Sequence, residues 1–137
     1  MSYRKTSRIA QILLVFLCGV AGVADAADPV AGQRAMFTLG CTGCHQLRRE
    51  GGNGVGPALF NVVGAAKASH VGFAYSPALR AKGGVWSAAE LDVWLTNPAA
   101  FAPGTKMAFA GIADASTRAD VIAYLGTLSD RAAAPVR

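Results

Sequence analysis

The 137-residue sequence predicts a small all-α domain with long loops. Three observations carry this expectation. Helix-opening signals recur at Asp28-Pro29, Ser76-Pro77 and Ser87-Ala88-Ala89-Glu90. Val121, Ile122, Tyr124, Leu125 and Leu128 recur at spacings of three and four, the period of an α-helix. No stretch alternates apolar and polar side chains for long enough to propose a sheet.

The first residues read as a leader outside the domain. Arg4, Lys5 and Arg8 precede an apolar run from Ile9 to Val20, and Ala24-Asp25-Ala26 offers the small-x-small pattern of a signal peptidase site. Residues 1–26 are therefore expected to be a cleaved signal peptide, with a single domain over residues 27–137 and a periplasmic location. The run is shorter than the roughly 20 apolar residues of a stable span, so no membrane span is expected. Cys18 follows Leu17 where a lipoprotein signal needs a small residue, which argues against lipidation there. Removing Arg4, Lys5, Arg8 and Asp25 takes 13 basic and 8 acidic side chains to 10 and 7, so the net charge falls from +5 to +3. The sequence holds no dense Lys/Arg stripe interleaved with aromatics, which excludes a nucleic-acid binder.

Along the domain, Asp28 supplies an N-cap and Pro29 a first-turn residue for a helix carrying Val30, Gly32, Met36 and Phe37 towards Cys41. Residues 46–58 are rich in glycine and read as an open loop. Ser76-Pro77 opens a short helix through Leu79 that Gly83-Gly84 stops. Ser87 and Glu90 form a capping box ahead of Leu91, Trp94 and Leu95, and Asn97-Pro98 ends that helix. Residues 98–113 read as loop, and Ser116 as the cap of a last helix. A short Ala-Pro tail, Ala132 to Pro135, is expected to be mobile. With loops at 46–58, 64–74 and 98–113 the apolar core is thin, and small domains of this kind need an additional source of stability. A large apolar cofactor enclosed by the loops would supply it.

The motif Cys41-Thr42-Gly43-Cys44-His45 specifies that cofactor. On one helical turn, residues i, i+3 and i+4 share a face. Two thiols on that face can add across the two vinyl groups of a haem, and the imidazole next to them is set beneath the iron, which is why C-x-x-C-H reads as c-type haem attachment. A zinc site needs four ligands, and the only other histidine is His70. A thiol-exchange site needs a βαβ framework that the pattern does not offer. The cofactor expected is one haem c, covalent through Cys41 and Cys44, with His45 as a metal ligand. For the sixth ligand, Met107 is favoured and His70 is the alternative. Met107 lies in a loop opened by Pro103-Gly104-Thr105-Lys106, far enough along the chain to approach the ring from its other side. Met36, five residues before Cys41, reads as core. A thioether ligand favours reduced iron, and two protein ligands leave no open position for substrate, so electron transfer is expected and catalysis is not.

These blocks, together with Gly56-Pro57-Ala58-Leu59, "LTNPAAFAPGTKMAFAGI" from Leu95 to Ile112 and "VIAYL" from Val121 to Leu125, make the chain resemble class I cytochrome c. The resemblance covers nearly all of residues 27–137. It implies the cytochrome c fold, four to five helices and long loops wrapped around the haem. It also implies thioethers from Cys41 and Cys44, proximal ligation by His45 and distal ligation by Met107. By the same resemblance the Pro57 carbonyl accepts a hydrogen bond from the His45 ring, and Tyr75, Trp86 and Thr105 hydrogen-bond haem propionates. Gly32 and Tyr124 suggest a crossing of the first and last helices.

Departures from the family pattern also carry information. Leu79, Trp94 and Ala65 stand where the family commonly has Asn, Tyr and Arg, so the haem crevice loses polar groups. The lysine ring that steers mitochondrial members reads Gly40, Gly54, Ala99, Ala100, Ala113 and Asp114 here, with Lys106 almost alone in place. The expected partners are redox proteins that dock at the haem edge with weak electrostatic steering. The function expected is a one-electron carrier between a donor dehydrogenase or bc-type complex and a terminal acceptor. The alternative is the haem-bearing electron-transfer subunit of a larger periplasmic oxidoreductase.

Overall fold

The computed structural model describes residues 26–130. The leader, Ala26 excepted, and the Ala132 to Pro135 tail lie outside them. Five α-helices form: α1 (Pro29–Thr38), α2 (Pro77–Lys82), α3 (Ala88–Thr96), α4 (Pro98–Phe101) and α5 (Ala115–Thr127), with a 3₁₀ turn at Cys41–Gly43. Among the described residues there is no strand, only an isolated antiparallel bridge between Ala66 and Val85. The all-α expectation stands.

The helix starts follow the capping residues. Asp28 accepts from the Val30 N–H at 2.8 Å, Ser76 from Leu79 at 3.2 Å and Ser87 from Glu90 at 3.2 Å. Two local expectations are corrected. Asp114, not Ser116, caps α5: its carboxylate accepts from the Ser116 hydroxyl at 2.6 Å and from both the backbone N–H and the hydroxyl of Thr117 at 2.7 Å. A carboxylate outcompetes a hydroxyl here because it takes three donors at once and faces the positive end of the helix. The stretch after Asn97 is not all loop either. Asn97 ends α3 and its side chain caps α4, accepting from Ala100 at 3.0 Å, with Pro98 in the first turn.

The principal helix contact is α1 against α5. A Cβ at Gly32 would overlap the Asp120 carbonyl, so only glycine permits this approach. The closest partners are Asp120 and Val121, one turn before Tyr124. The Asp28 N–H, bonded to the Asp120 carboxylate at 2.7 Å, fixes the helix ends. Met36 and Val121, each 1% exposed, fill the seam. On the opposite side Trp86, Trp94 and Phe101 form a three-ring cluster with centroids 5.5 to 5.9 Å apart. The Lys67 ammonium lies 5.5 Å from the Trp86 ring centroid, donates to the Gly83 carbonyl at 2.9 Å and pairs with Glu90 at 3.1 Å. Between seam and cluster the chain encloses a cavity.

Asn61 and Ala68 both adopt positive φ, 62° and 54°. Asn61 is at home there, and it also closes the α5 end: its side chain accepts from the Ser129 hydroxyl and the Asp130 N–H at 2.9 and 3.0 Å. Ala68 has no side-chain hydrogen bond to favour that conformation, and only its half-buried methyl, packed against the core, offsets the strain. Ala68→Gly is expected to raise stability by about 0.5–1 kcal/mol in denaturant titration, the left-handed strain removed outweighing the added freedom of the unfolded chain. A second expectation concerns acid. The Ser116 and Thr117 bonds hold the Asp114 carboxyl at about 2, below its ordinary 3.8. A depressed folded value stabilises above the unfolded one and is lost as pH falls through the folded one. The start of α5 should therefore loosen between about pH 4 and about pH 2, read by circular dichroism, and Asp114→Asn should flatten that part of the acid titration.

Candidate cofactor site

The cavity has a volume of about 740 Å³. All eight residues singled out from the sequence line it: Cys41, Cys44 and His45, then Pro57, Tyr75 and Trp86, then Thr105 and Met107. His70, the alternative ligand, lines it as well. The remaining wall is mainly apolar, including Leu59, Val62, Leu79, Trp94 and Phe109.

Gly40, at φ 77°, turns the chain out of α1 into the motif. The motif turn is 3₁₀ rather than α at its start, yet the Cys44 and His45 N–H groups both donate to the Cys41 carbonyl, at 3.1 and 3.0 Å. The three side chains are thereby kept on one short turn. Both cysteines are free thiols, Cys41 half-buried and Cys44 exposed. Burial pushes the Cys41 thiol up, opposed by a backbone hydrogen bond and reinforced by Cys44. It remains a protonated thiol well above neutral pH and is a poor partner for disulfide exchange.

His45 is the most constrained member. Its Nδ1 lies 2.7 Å from the Pro57 carbonyl oxygen. A carbonyl can only accept, so Nδ1 carries the proton and Nε2 presents a lone pair, the form in which imidazole ligates a metal. The ring lies against Gly56, where a Cβ would overlap its Cε1 atom. Gly56 is thus the seat of the imidazole, a role that the Gly56-Pro57-Ala58-Leu59 block does not by itself disclose. The Gly56 N–H donates to the Cys44 carbonyl at 2.9 Å and the Leu59 N–H to the Gln46 carbonyl at 2.8 Å, so the loop that carries Pro57 is laced to the motif.

At the other predicted positions, hydroxyl groups are partly committed. Thr105 Oγ accepts from the Met107 N–H at 3.3 Å, and the Tyr75 hydroxyl accepts from the His70 N–H at 3.3 Å. Each keeps its own hydrogen to donate into the cavity. Burial raises the Tyr75 hydroxyl above its usual value, partly offset by the His70 N–H, so it remains a donor at neutral pH. Trp86 is 7% exposed and packs in the ring cluster as well as on the cavity wall. Arg118, which the sequence reading passed over, holds the end of the Met107 loop through the Ile112 and Ala113 carbonyls. Its only sequence signal was a charged residue on the inward face of α5.

The fit to a haem rests on this geometry. Ligand sites span roughly 300–1,000 Å³, whereas dry voids of about 150 Å³ are already large for a core, so an apolar space of this size within a packed domain is a site for a large apolar guest. An imidazole of the ligating tautomer, a thioether and two thiols face it together. Among the described residues no group of three or more His, Cys, Asp or Glu side chains could hold a bare metal ion, which removes the zinc alternative there. With no strand in the described residues, the βαβ frame of a thiol-exchange protein is missing too.

Comparison with known proteins agrees. Residues 29–129 match the profile of the cytochrome c family. The chain is 46% identical over 102 residues to cytochrome c2 of Rhodomicrobium vannielii, a match covering 74% of this chain and 80% of that protein. It is 48% identical over 91 residues to a cytochrome c homolog of Bradyrhizobium diazoefficiens, covering 66% of this chain but only 50% of that longer protein. The fold is similar to that of cytochrome cH from Methylobacterium extorquens, with a TM-score of 0.67 and 43% identity over 74% of this chain and 99% of that one. The chain therefore belongs to the cytochrome c family, whose members carry electrons on a covalently bound haem rather than act as enzymes.

Proposed function

We propose that this chain is a periplasmic one-electron carrier. It would hold one haem c, bonded through Cys41 and Cys44 and ligated at iron by His45 and Met107. The observation that carries this is the 2.7 Å contact from His45 Nδ1 to the Pro57 carbonyl, inside an apolar cavity that Cys41, Cys44 and Met107 also line. A haem bound there supplies one reversible electron at its iron. The residues supply the rest. Pro57 and Gly56 fix the imidazole, so its lone pair is aimed without a search for the right tautomer. Thr105 ties the Met107 backbone. Tyr75, Trp86 and the Thr105 hydroxyl are suited to donate to the propionates. Leu79 and Trp94, each 7% exposed, add apolar groups to the cavity wall.

The leader pattern supports export, and among the described residues no helix is long and apolar enough to cross a membrane. The partners would be redox proteins, a donor dehydrogenase or bc-type complex and a terminal acceptor. Gly40, Gly54, Ala99, Ala100, Ala113 and Asp114 are all exposed, with Lys106 the one cation at the matching positions. Val55 and Val71, 80% and 88% exposed, stand on the cavity wall and offer an apolar docking rim.

The protein purified from the periplasm should show a haem c reduced-minus-oxidised spectrum and the mass of one covalent haem. The oxidised form should show a near-infrared methionine-to-iron band that Met107→Ala abolishes. Reduced wild type should ignore carbon monoxide, and the Met107→Ala variant should bind it. A folded, colourless protein with both thiols free after maturation sinks the proposal. Association rates with the physiological partner should fall only gently as salt rises, because few exposed cations surround the rim. A steep dependence would show steering by charges elsewhere.

A further inference from the structure

We infer that Arg118 is a positioning residue for Met107: its guanidinium latches the C-terminal end of the Met107 loop to α3 and α5 and thereby keeps the thioether at the cavity. The inference rests on the assignment of Met107 as iron ligand and adds a residue that acts through it.

Arg118 lies in α5 and is 9% exposed. Its Nη1 donates to the carbonyls of Ile112 and Ala113, both at 2.9 Å, and its Nε donates to the Asp92 carboxylate on α3 at 2.7 Å. A buried cation is tolerated only when its donors are met, and removing one partner leaves an uncompensated charge. The position of residues 112 and 113 is thus coupled to the burial of a full charge, and a partly detached loop end is strongly disfavoured.

The rest of the loop has lesser ties. At its start Ala102 is fully buried and its N–H donates to the Pro98 carbonyl at 3.0 Å. At its end the Ile112 N–H donates to the Leu95 carbonyl at 2.8 Å, and Gly111, at φ 102°, passes so close to α3 that a Cβ would overlap the Thr96 carbonyl. Near Met107 the Thr105 hydroxyl and the Lys106 bond to the Ala74 carbonyl, at 2.7 Å, act on exposed or half-exposed groups. Arg118 is the buried charged tie, and releasing it would leave the C-terminal end of the loop held only by the Ile112–Leu95 bond and the Gly111 contact, and so easier to open. Met107 would then leave the cavity by a local opening rather than by global unfolding.

The test uses the matured haem protein carrying Arg118→Met, which keeps apolar bulk and removes the donors, and Asp92→Ala, which removes only the half-exposed carboxylate. The second variant keeps the idea testable if the first does not accumulate. In Arg118→Met the alkaline midpoint for loss of the methionine-to-iron band should fall by about one pH unit, about tenfold in the exchange equilibrium. Asp92→Ala should shift it the same way by less. Amide exchange at Met107 and Ile112 should quicken about tenfold in Arg118→Met while the Met36 amide in α1 is unmoved, which a merely structural role would not produce. Equal acceleration of all amides, or unchanged midpoints in both variants, overturns the inference while leaving the ligand intact. Absence of the band from wild type overturns the ligand assignment instead, and the inference with it.

Discussion

The structure is organised around an apolar cavity that its hydrophobic core surrounds rather than fills. Five helices making up about two fifths of the described residues gather around an apolar space of about 740 Å³, and only the α1–α5 seam packs helix directly on helix at length. Side chains such as Leu59, Val62 and Phe109 bury one face on protein and turn the other to the cavity. Apolar surface on this scale stabilises a fold only when something apolar covers it. A guest fastened by two sulfur bonds, as proposed, would meet that need permanently, where a dissociable one would leave the domain to lose and regain its interior. Such an attachment would let loops as long as 46–58 and 102–114 serve as wall rather than liability.

What the sequence disclosed follows from how local each signal is. The caps at Asp28, Ser76 and Ser87 and the motif turn from Cys41 to His45 are decided within five residues, and they form as expected. Asp114 and Ser116 compete for the same helix start two residues apart, and the outcome turns on how many donors reach one carboxylate, which spacing alone does not tell. The four-residue α4 is too short for periodicity to register. Gly56, Gly111 and Arg118 were out of reach for a different reason. Their roles are set by an imidazole, a helix end and two loop carbonyls, each brought near by the fold rather than by the chain. Ala68 at φ 54° is the opposite case: nothing local predicts a left-handed alanine, and the surrounding loop imposes it.

The fate of the basic side chains links the fold to its partners. Lys67 caps the Gly83 carbonyl, Lys106 the Ala74 carbonyl, and Arg118 those of Ile112 and Ala113. Asn53 does the neutral equivalent, donating to the Val71 carbonyl at 3.0 Å and accepting from the Ala58 N–H at 3.2 Å, and so joins the two loops that carry Val55 and Val71. Lys67 and Arg118 are thereby withdrawn from the surface to hold loops, while Lys106 stays exposed as it does so. The long loops keep their backbone groups satisfied, and the rim is left to small and apolar residues.

That exchange has a functional logic. With His45 and Met107 as the proposed iron ligands, one-electron transfer would be fastest if they hardly moved between the two states, so both would need to be held by something stiffer than themselves. On the His45 side the stiffness is local: a glycine seat, one carbonyl and a laced loop, all within 14 residues of the ring. On the Met107 side the loop is longer, and its nearest tie, the Thr105 hydroxyl, is on the loop itself. Further rigidity comes from neighbouring elements: Lys106 holds the Ala74 carbonyl, the Ile112 N–H holds α3, and the buried Arg118 guanidinium bridges α3 and α5 to the loop end.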